Sequence, residues 1–320
     1  MAHELATMID GRNAMAYVGD EPWHGLGQKL TKGASLETWT KEAGMDFIIG
    51  GAQIQYQNAV TNEMLVQGSK QVLYRQDTGA ALGVVGTKYK VVQPIEIMEF
   101  FRDLTLEQGF ELETAGVLFG GSKYWALART GNEVTIAGND VLKDYLLLAT
   151  ACDGTLKTTA RRTSVRVVCN NTLNLSNQKA NSGTDIKISH ATTFIAAEVK
   201  SELGLGLDEW TTFAEQAKQL AETPISDLQA IEFVRNLFQD KSAMGNVQSG
   251  KVLQLFSGQG KGSDYKSSKG TAWGLLNATT EMLDWHQGNN QDRRLEAAWL
   301  YGGVNLKQQA MNDLLALAIA

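Results

Sequence analysis

Arg161, Arg162 and Arg166 fall within six positions of one β-branched run, "TTARRTSVRVVCNNTLNLSN" (residues 158–177), in a chain of formal net charge −6. On a strand, alternate residues share a face. Arg162, Ser164 and Arg166 then form a polar, cationic face, and Thr163, Val165, Val167 and Cys169 form a core face. A guanidinium grips phosphate oxygens bidentately and stacks on bases, so the pattern points to a polyanion site. Lys157, Lys179 and Lys187 extend the neighbourhood, and Asn171 offers a polar contact. Residues 151–200 hold seven Lys/Arg against three Asp/Glu, too few acids to cancel the cluster. A second basic stretch, "SGQGKGSDYKSSKG", carries Lys261, Lys266 and Lys269. Its Gly, Ser and Lys content reads as a mobile loop between helices that could follow a nucleic-acid backbone. A solvated sheet face with a few ion pairs is the plainer reading of the arginine strand.

Other chemistries do not close. "GNVQSGKV" (Gly245 to Val252) has the Gly-x4-Gly-Lys frame of a phosphate loop, but Val252 stands where Ser or Thr must hold magnesium, and the preceding segment is helical. His3, His24, His190 and His286 share no metal-ligand spacing. His24, in "PWHGLG", reads as a structural histidine, with a hydrolase centred on it as a remote option. Cys152 and Cys169 make no disulfide framework and read as small core residues. Glu96, Glu99 and Asp103 sit together on one helix as a solvated face. No complete enzyme constellation emerges, and no cofactor is called for. Trp125 shares a strand face with Lys123 and Arg129, an arrangement that could stack bases, although core packing is the simpler reading.

The elements that must carry these residues follow from periodicity. Two apolar runs flank Asp77-Thr78-Gly79, two more flank Gly120-Gly121, and a third pair flanks Asp153-Gly154. Consecutive hairpins give an antiparallel, meandering sheet and disfavour a doubly wound nucleotide fold. "QPIEIMEFFRDL" reads as a helix with Pro94 in its first turn and Ile97, Phe101 and Leu104 on one face. From about residue 192 the period becomes helical. Trp210, Phe213, Ala217 and Leu220 mark one stripe; Leu228, Ile231 and Phe238 a second; Trp273, Leu276, Thr280 and Leu283 a third. The expectation is an α+β fold: a sheet of hairpins with helices over residues 1–191, then a helical region over 192–320. No run approaches the roughly 18–20 apolar residues of a membrane helix, and no signal peptide opens the chain, so the cytoplasm is the expected compartment.

Four stretches together carry a resemblance. "PWHGLG", "YRQDTGAALGVVGTKYKVVQ", "RRTSVRVVCNNTL" and "GTAWGLLNATTEMLDW" are similar to the pattern of the phage/plasmid-like protein family, domain of unknown function 932. The resemblance implies a protein carried by phages, prophages and conjugative plasmids in a bacterial host cell. A more distant likeness, at the level of fold, is to the single-strand annealing recombinases of phages. It implies a basic groove that holds single-stranded DNA without ATP, on a homo-oligomer that closes as a ring or grows as a filament. The expected function is therefore binding and annealing of single-stranded DNA through Lys157, Arg161, Arg162, Arg166, Asn171, Lys179, Lys187, Lys261, Lys266 and Lys269. The alternative is a host-takeover or anti-defence factor whose partner is a protein.

Overall fold

The computed structural model describes residues 5–19, 25–166, 171–174, 185–203, 207–240, 247–286 and 302–319. His3, His24, Val167, Cys169 and Lys179 lie outside the described residues. Strands β1 (Met15–Tyr17), β2 (Gln28–Lys29), β6 (Glu111–Leu118), β7 (Lys123–Ala137), β8 (Asp140–Ala151), β9 (Thr158–Arg166), β10 (Asn171–Asn174) and β11 (Ile186–Ile188) make one eight-stranded sheet. Its order is β10-β9-β8-β7-β6-β1-β2, with β11 added on β9. The β6–β7, β9–β10 and β9–β11 pairs are antiparallel. Strands β3 (Ile49–Gln57), β4 (Met64–Arg75) and β5 (Ala81–Gly86) form a separate antiparallel sheet. The three expected hairpins are therefore present as β4–β5, β6–β7 and β8–β9, and the fold is the expected mixture of antiparallel sheet and helices.

The chain divides into two compact units. The first comprises residues 1–130, 146–161 and 185–203; the second comprises 131–145, 162–184 and 204–320. The division is not a single cut near residue 191, because the sheet segment 131–145 has its apolar side chains in the helical core: Leu142 is fully buried there, with Val134 and Ile136 packed on its margin.

In the first unit, α1 (Leu36–Glu42) and α2 (Pro94–Gln108) cover sheet residues. Gln93 and Glu96 close a capping box around Pro94, and Gly109, at φ +72°, ends the helix in the left-handed region. Ile97, Phe101 and Leu104 are buried as the periodicity requires, against Ala115, Val117, Tyr124 and Leu146. The helix carboxylates have structural work: Glu96 accepts from the Gln93 backbone N–H at 2.6 Å, and Asp103 accepts from Arg102 and from Lys200 Nζ at 3.0 Å. Cys152 is buried, and desolvation followed by the nearby Asp153 charge pushes its thiol up to about 12, so it is an inert core residue.

In the second unit, α4 (Leu207–Glu222), α5 (Asp227–Leu237), α6 (Val247–Gln254), α7 (Ala272–Glu281) and α8 (Gly302–Ile319) surround one apolar core. (Helix α3, Ala196–Leu203, belongs to the first unit.) Every residue of α7 is buried, so it is a central helix rather than one with a single apolar stripe. The expected face of α5 is corrected. Leu228 and Ile231 are exposed, and Ala230, Phe233, Val234 and Leu237 face the core. Ser226 caps the helix and reads the register from that point, and the i, i+3, i+4, i+7 set from Ala230 is the wider apolar stripe.

The Gly/Ser/Lys segment is also not loose. Ser267 Oγ donates to Asp140 Oδ2 at 2.6 Å, and Trp273 Nε1 donates to the same oxygen at 3.0 Å. One buried carboxylate thus joins the segment, α7 and the start of β8. Asp140→Ala leaves a buried hydroxyl and a buried indole N–H without this acceptor. The expected cost is about 3 kcal/mol, read as a lower urea midpoint at unchanged denaturant slope; a midpoint equal to that of the wild type contradicts this role for Asp140.

Candidate nucleic-acid interface

Strand β9 follows from its β-branched residues, yet it does not expose a cationic face. Arg161 is 3% exposed and Arg162 is 7% exposed, and Thr163 and Ser164 are buried as well. Within the first unit, Arg161 Nε donates to Asp185 Oδ1 at 2.5 Å while its Nη2 donates to Asp185 Oδ2. Lys187 Nζ stands 3.2 Å from the same carboxylate. Desolvation pushes the Asp185 carboxyl up, but the Arg161 hydrogen bonds and charge, then Lys187, outweigh it and hold the group below the usual carboxylate range. Within the second unit, Arg162 donates to Asp144, which also accepts from Asn132 Nδ2 at 3.1 Å. The expectation of an uncancelled arginine face is therefore corrected. A guanidinium that loses water must gain a carboxylate, and here each has one.

Trp125 follows the simpler reading, core packing, and not the stacking one. It is buried, with its ring against Gly116, where a Cβ would lie 2.5 Å from the indole. Lys123 is buried with its ammonium 4.6 Å from the Phe119 ring centroid, and Arg129 pairs with Glu113. None of the three forms an open stacking surface.

The lysines behave differently. Lys157, in the β8–β9 turn, is exposed and lines an open groove of about 340 Å³ in the first unit. Lys88 lies on the same groove, whose wall holds Tyr89 and His190. These two rings stack with centroids 4.3 Å apart and planes 13° from parallel. Tyr89 Oη donates to Ala151 O at 2.8 Å, and burial first, then the Cys152 and Asp153 charges, pushes its phenol well above the usual value. The His190 ring nitrogens stand 2.9 Å from Lys90 O and 3.0 Å from Leu156 O. Hydrogen bonds to three backbone carbonyls thus hold both rings in place. Lys90 is exposed next to Tyr89, and Lys187 is exposed on β11, opposite Thr159 of β9. Lys157 and, exposed in the same unit, Lys187 are thus joined by Lys88, which lines the groove with Lys157, and by the exposed Lys90. The sequence reading missed Lys88 and Lys90, although "TKYK" places two lysines around an aromatic residue.

In the second unit, Lys261, Lys266 and Lys269 are exposed on the turn-rich segment described above. The Lys261 backbone N–H donates to Glu281 Oε2 at 2.9 Å, and its ammonium stands 5.4 Å from the Trp285 ring centroid. The Gly250-Lys251 pair lies inside α6, not in a loop ahead of a helix, so it builds no phosphate cradle. Arg166 and Asn171 face each other in the β9–β10 register; their side chains lie outside the described residues. Among the described residues no group of three or more His, Cys, Asp or Glu could hold a metal ion. No helix among them is long and apolar enough to cross a membrane.

The sequence matches the family described as Domain of unknown function (DUF932) over residues 81–299. The chain belongs to this family. The DUF932 span takes in the lysine groove, both buried arginines and the Lys261–Lys269 segment, and it begins at β5, so β3 and β4 precede it. No curated protein and no solved structure matches the chain.

The paired arginines give a pH signature. Asp185 is held low in the folded protein, so its contribution is complete above the unfolded carboxylate value of about 3.9 and is lost as pH falls through the lower folded value. Asp185→Asn leaves Arg161 buried without its anion and is expected to cost about 3 kcal/mol at neutral pH. Its penalty shrinks on acidification below about pH 4, as the wild type loses the same pair. Thermal melts across pH test this; a penalty that does not change with pH contradicts it.

Proposed function

We propose that the protein binds single-stranded DNA along the lysine groove of its first unit and promotes strand annealing without ATP, in the cytoplasm of a bacterium carrying a phage or plasmid. The observation that carries this reading is the open groove itself, with Lys88 and Lys157 beside a wall formed by the stacked Tyr89–His190 pair. Lysine ammoniums neutralise phosphates as flexible point charges and release condensed counterions, a sequence-independent source of affinity. A ring wall held by hydrogen bonds offers a base a partner without selecting which base. The groove needs no nucleotide for this chemistry, because pairing of the two strands supplies the free energy of annealing.

The arginines change role in this reading. Arg161 and Arg162 anchor β9, Arg162 through Asp144, and Arg161 through Asp185, which precedes β11 and Lys187. The exposed Lys261, Lys266 and Lys269 offer a second set of phosphate contacts.

The test is fluorescence anisotropy of a labelled single-stranded oligonucleotide over a salt series, with a duplex control. The wild type is expected to prefer the single strand and to weaken steeply with salt. Lys88→Glu with Lys157→Glu should weaken binding by at least about tenfold and reduce the salt slope by about 1.4, two contacts at about 0.7 each. Binding and slope equal to those of the wild type, in a double variant with an unchanged melting temperature, reject the groove.

A further inference from the structure

The edges of the two sheets are treated unequally. A free strand edge offers a row of unpaired N–H and C=O groups to any other strand, and proteins shorten, charge or cover such edges. In the large sheet, β2 has two residues and β10 four. In the small sheet, the β5 edge is covered: a Cβ at Gly83 would lie 2.7 Å from Asp153 Cα. The opposite edge, β3, has none of these protections. It is nine residues long, "IGGAQIQYQ", with no charge and no proline. The irregularity in the β3–β4 pairing lies on β4, where the register jumps from Gln71 to Gln67 while β3 steps from Gln53 to Ile54. Strand β3 therefore stays regular along its length.

Which main-chain groups point outward can be read from its first residues. Ile48 O accepts from the Gln76 N–H, toward β4. The Ile49 N–H donates to Gln93 Oε1 at 2.9 Å, and Ile49 O accepts from Gln93 Nε2 at 3.0 Å. A side-chain amide thus takes the place of a neighbouring strand at Ile49 and stops there. By alternation, Gly51, Gln53, Gln55 and Gln57 turn their N–H and C=O groups outward. Around them Tyr56, Val60, Met64 and Val66 are all at least half exposed.

We propose that β3 pairs antiparallel with β3 of a second copy, joining two three-stranded sheets into one of six about a two-fold axis near Gln53 and Ile54. The charge pattern selects a second copy as the occupant. Two chains of net charge −6 repel one another least where the meeting segments carry no charge, and residues 49–62 contain neither Asp, Glu, Lys nor Arg. In antiparallel self-pairing the outward glutamines and Gly51 face one another, so no like charges are opposed and the amides can bond in ladders. The pairing is isologous and uses up the edge, so it closes at two copies. The inference stands apart from the groove and its ligand.

Sedimentation velocity of the full chain over a range of concentrations tests it. The wild type is expected to pass from one copy to two as concentration rises. Gln53→Pro removes one outward N–H without touching the β4 ladder, and it should weaken association by about tenfold or more. Gln55→Lys keeps the backbone and places like charges near the axis, with the same expected result should the proline variant melt lower than the wild type. A wild type that stays monomeric, or that gains mass only with nucleic acid or lipid vesicles, overturns the proposal. So does association unchanged in both variants, which places the contact elsewhere.

Discussion

Two positive charges buried side by side in one strand have to be cancelled where they sit. Arg161 and Arg162 are successive residues of β9, so their side chains leave on opposite faces, and each meets its own aspartate. Neither partner is close in sequence: Asp144 lies 18 residues before Arg162, and Asp185 lies 24 residues after Arg161. Breaking either pair leaves an ion in a dry environment, a far larger penalty than any surface bridge in the molecule carries. Strand β11 is short and holds its register on β9 beside this requirement, and its lysine follows. The strand that looked most like a ligand surface is thus a fastening, and the exposed cations are lysines beside it, Lys157 in the turn before it and Lys187 on β11.

The hairpins were legible because a turn is a local event. Asp77-Thr78-Gly79, Gly120-Gly121 and Asp153-Gly154 each reverse the chain by the conformational freedom of one or two residues, whatever lies around them. The α2 helix was legible for the same reason, from Pro94 at its start and one apolar face. The orientation of α5 was not, since Leu228 and Ile231 are as apolar as the residues that do face the core. Only the cap at Ser226 and the neighbouring helices decide which stripe turns inward.

The site was half legible. Charge counting found the basic neighbourhood but could not say which cations keep their water. Residue type gives a first answer: guanidinium tolerates burial in a fixed ion pair, whereas an ammonium on a long stem favours solvent. That rule sorts Arg161 and Arg162 from Lys157 and Lys187, and it fails for Lys307, which is buried against Asp284 in the helical unit. The Tyr89–His190 wall was illegible, because its two rings stand a hundred residues apart in the sequence and meet only through the carbonyls of Lys90, Ala151 and Leu156.

Helix α7 is enclosed on every side, and Gly274 is pressed so closely against the Ser268 carbonyl that no side chain fits there. A helix with one wet face can change along that face without consulting its neighbours. This one has no such face: each of its residues fills a space shaped by another element, at the packing density of a crystal. Any replacement in "AWGLLNATTE" must then be answered by a second one in α4, α6 or α8, or in the Ser267–Ser268 turn. Over evolutionary time the segment changes in matched pairs or not at all, and descendants of this chain should carry their history there as correlated differences rather than as scattered ones.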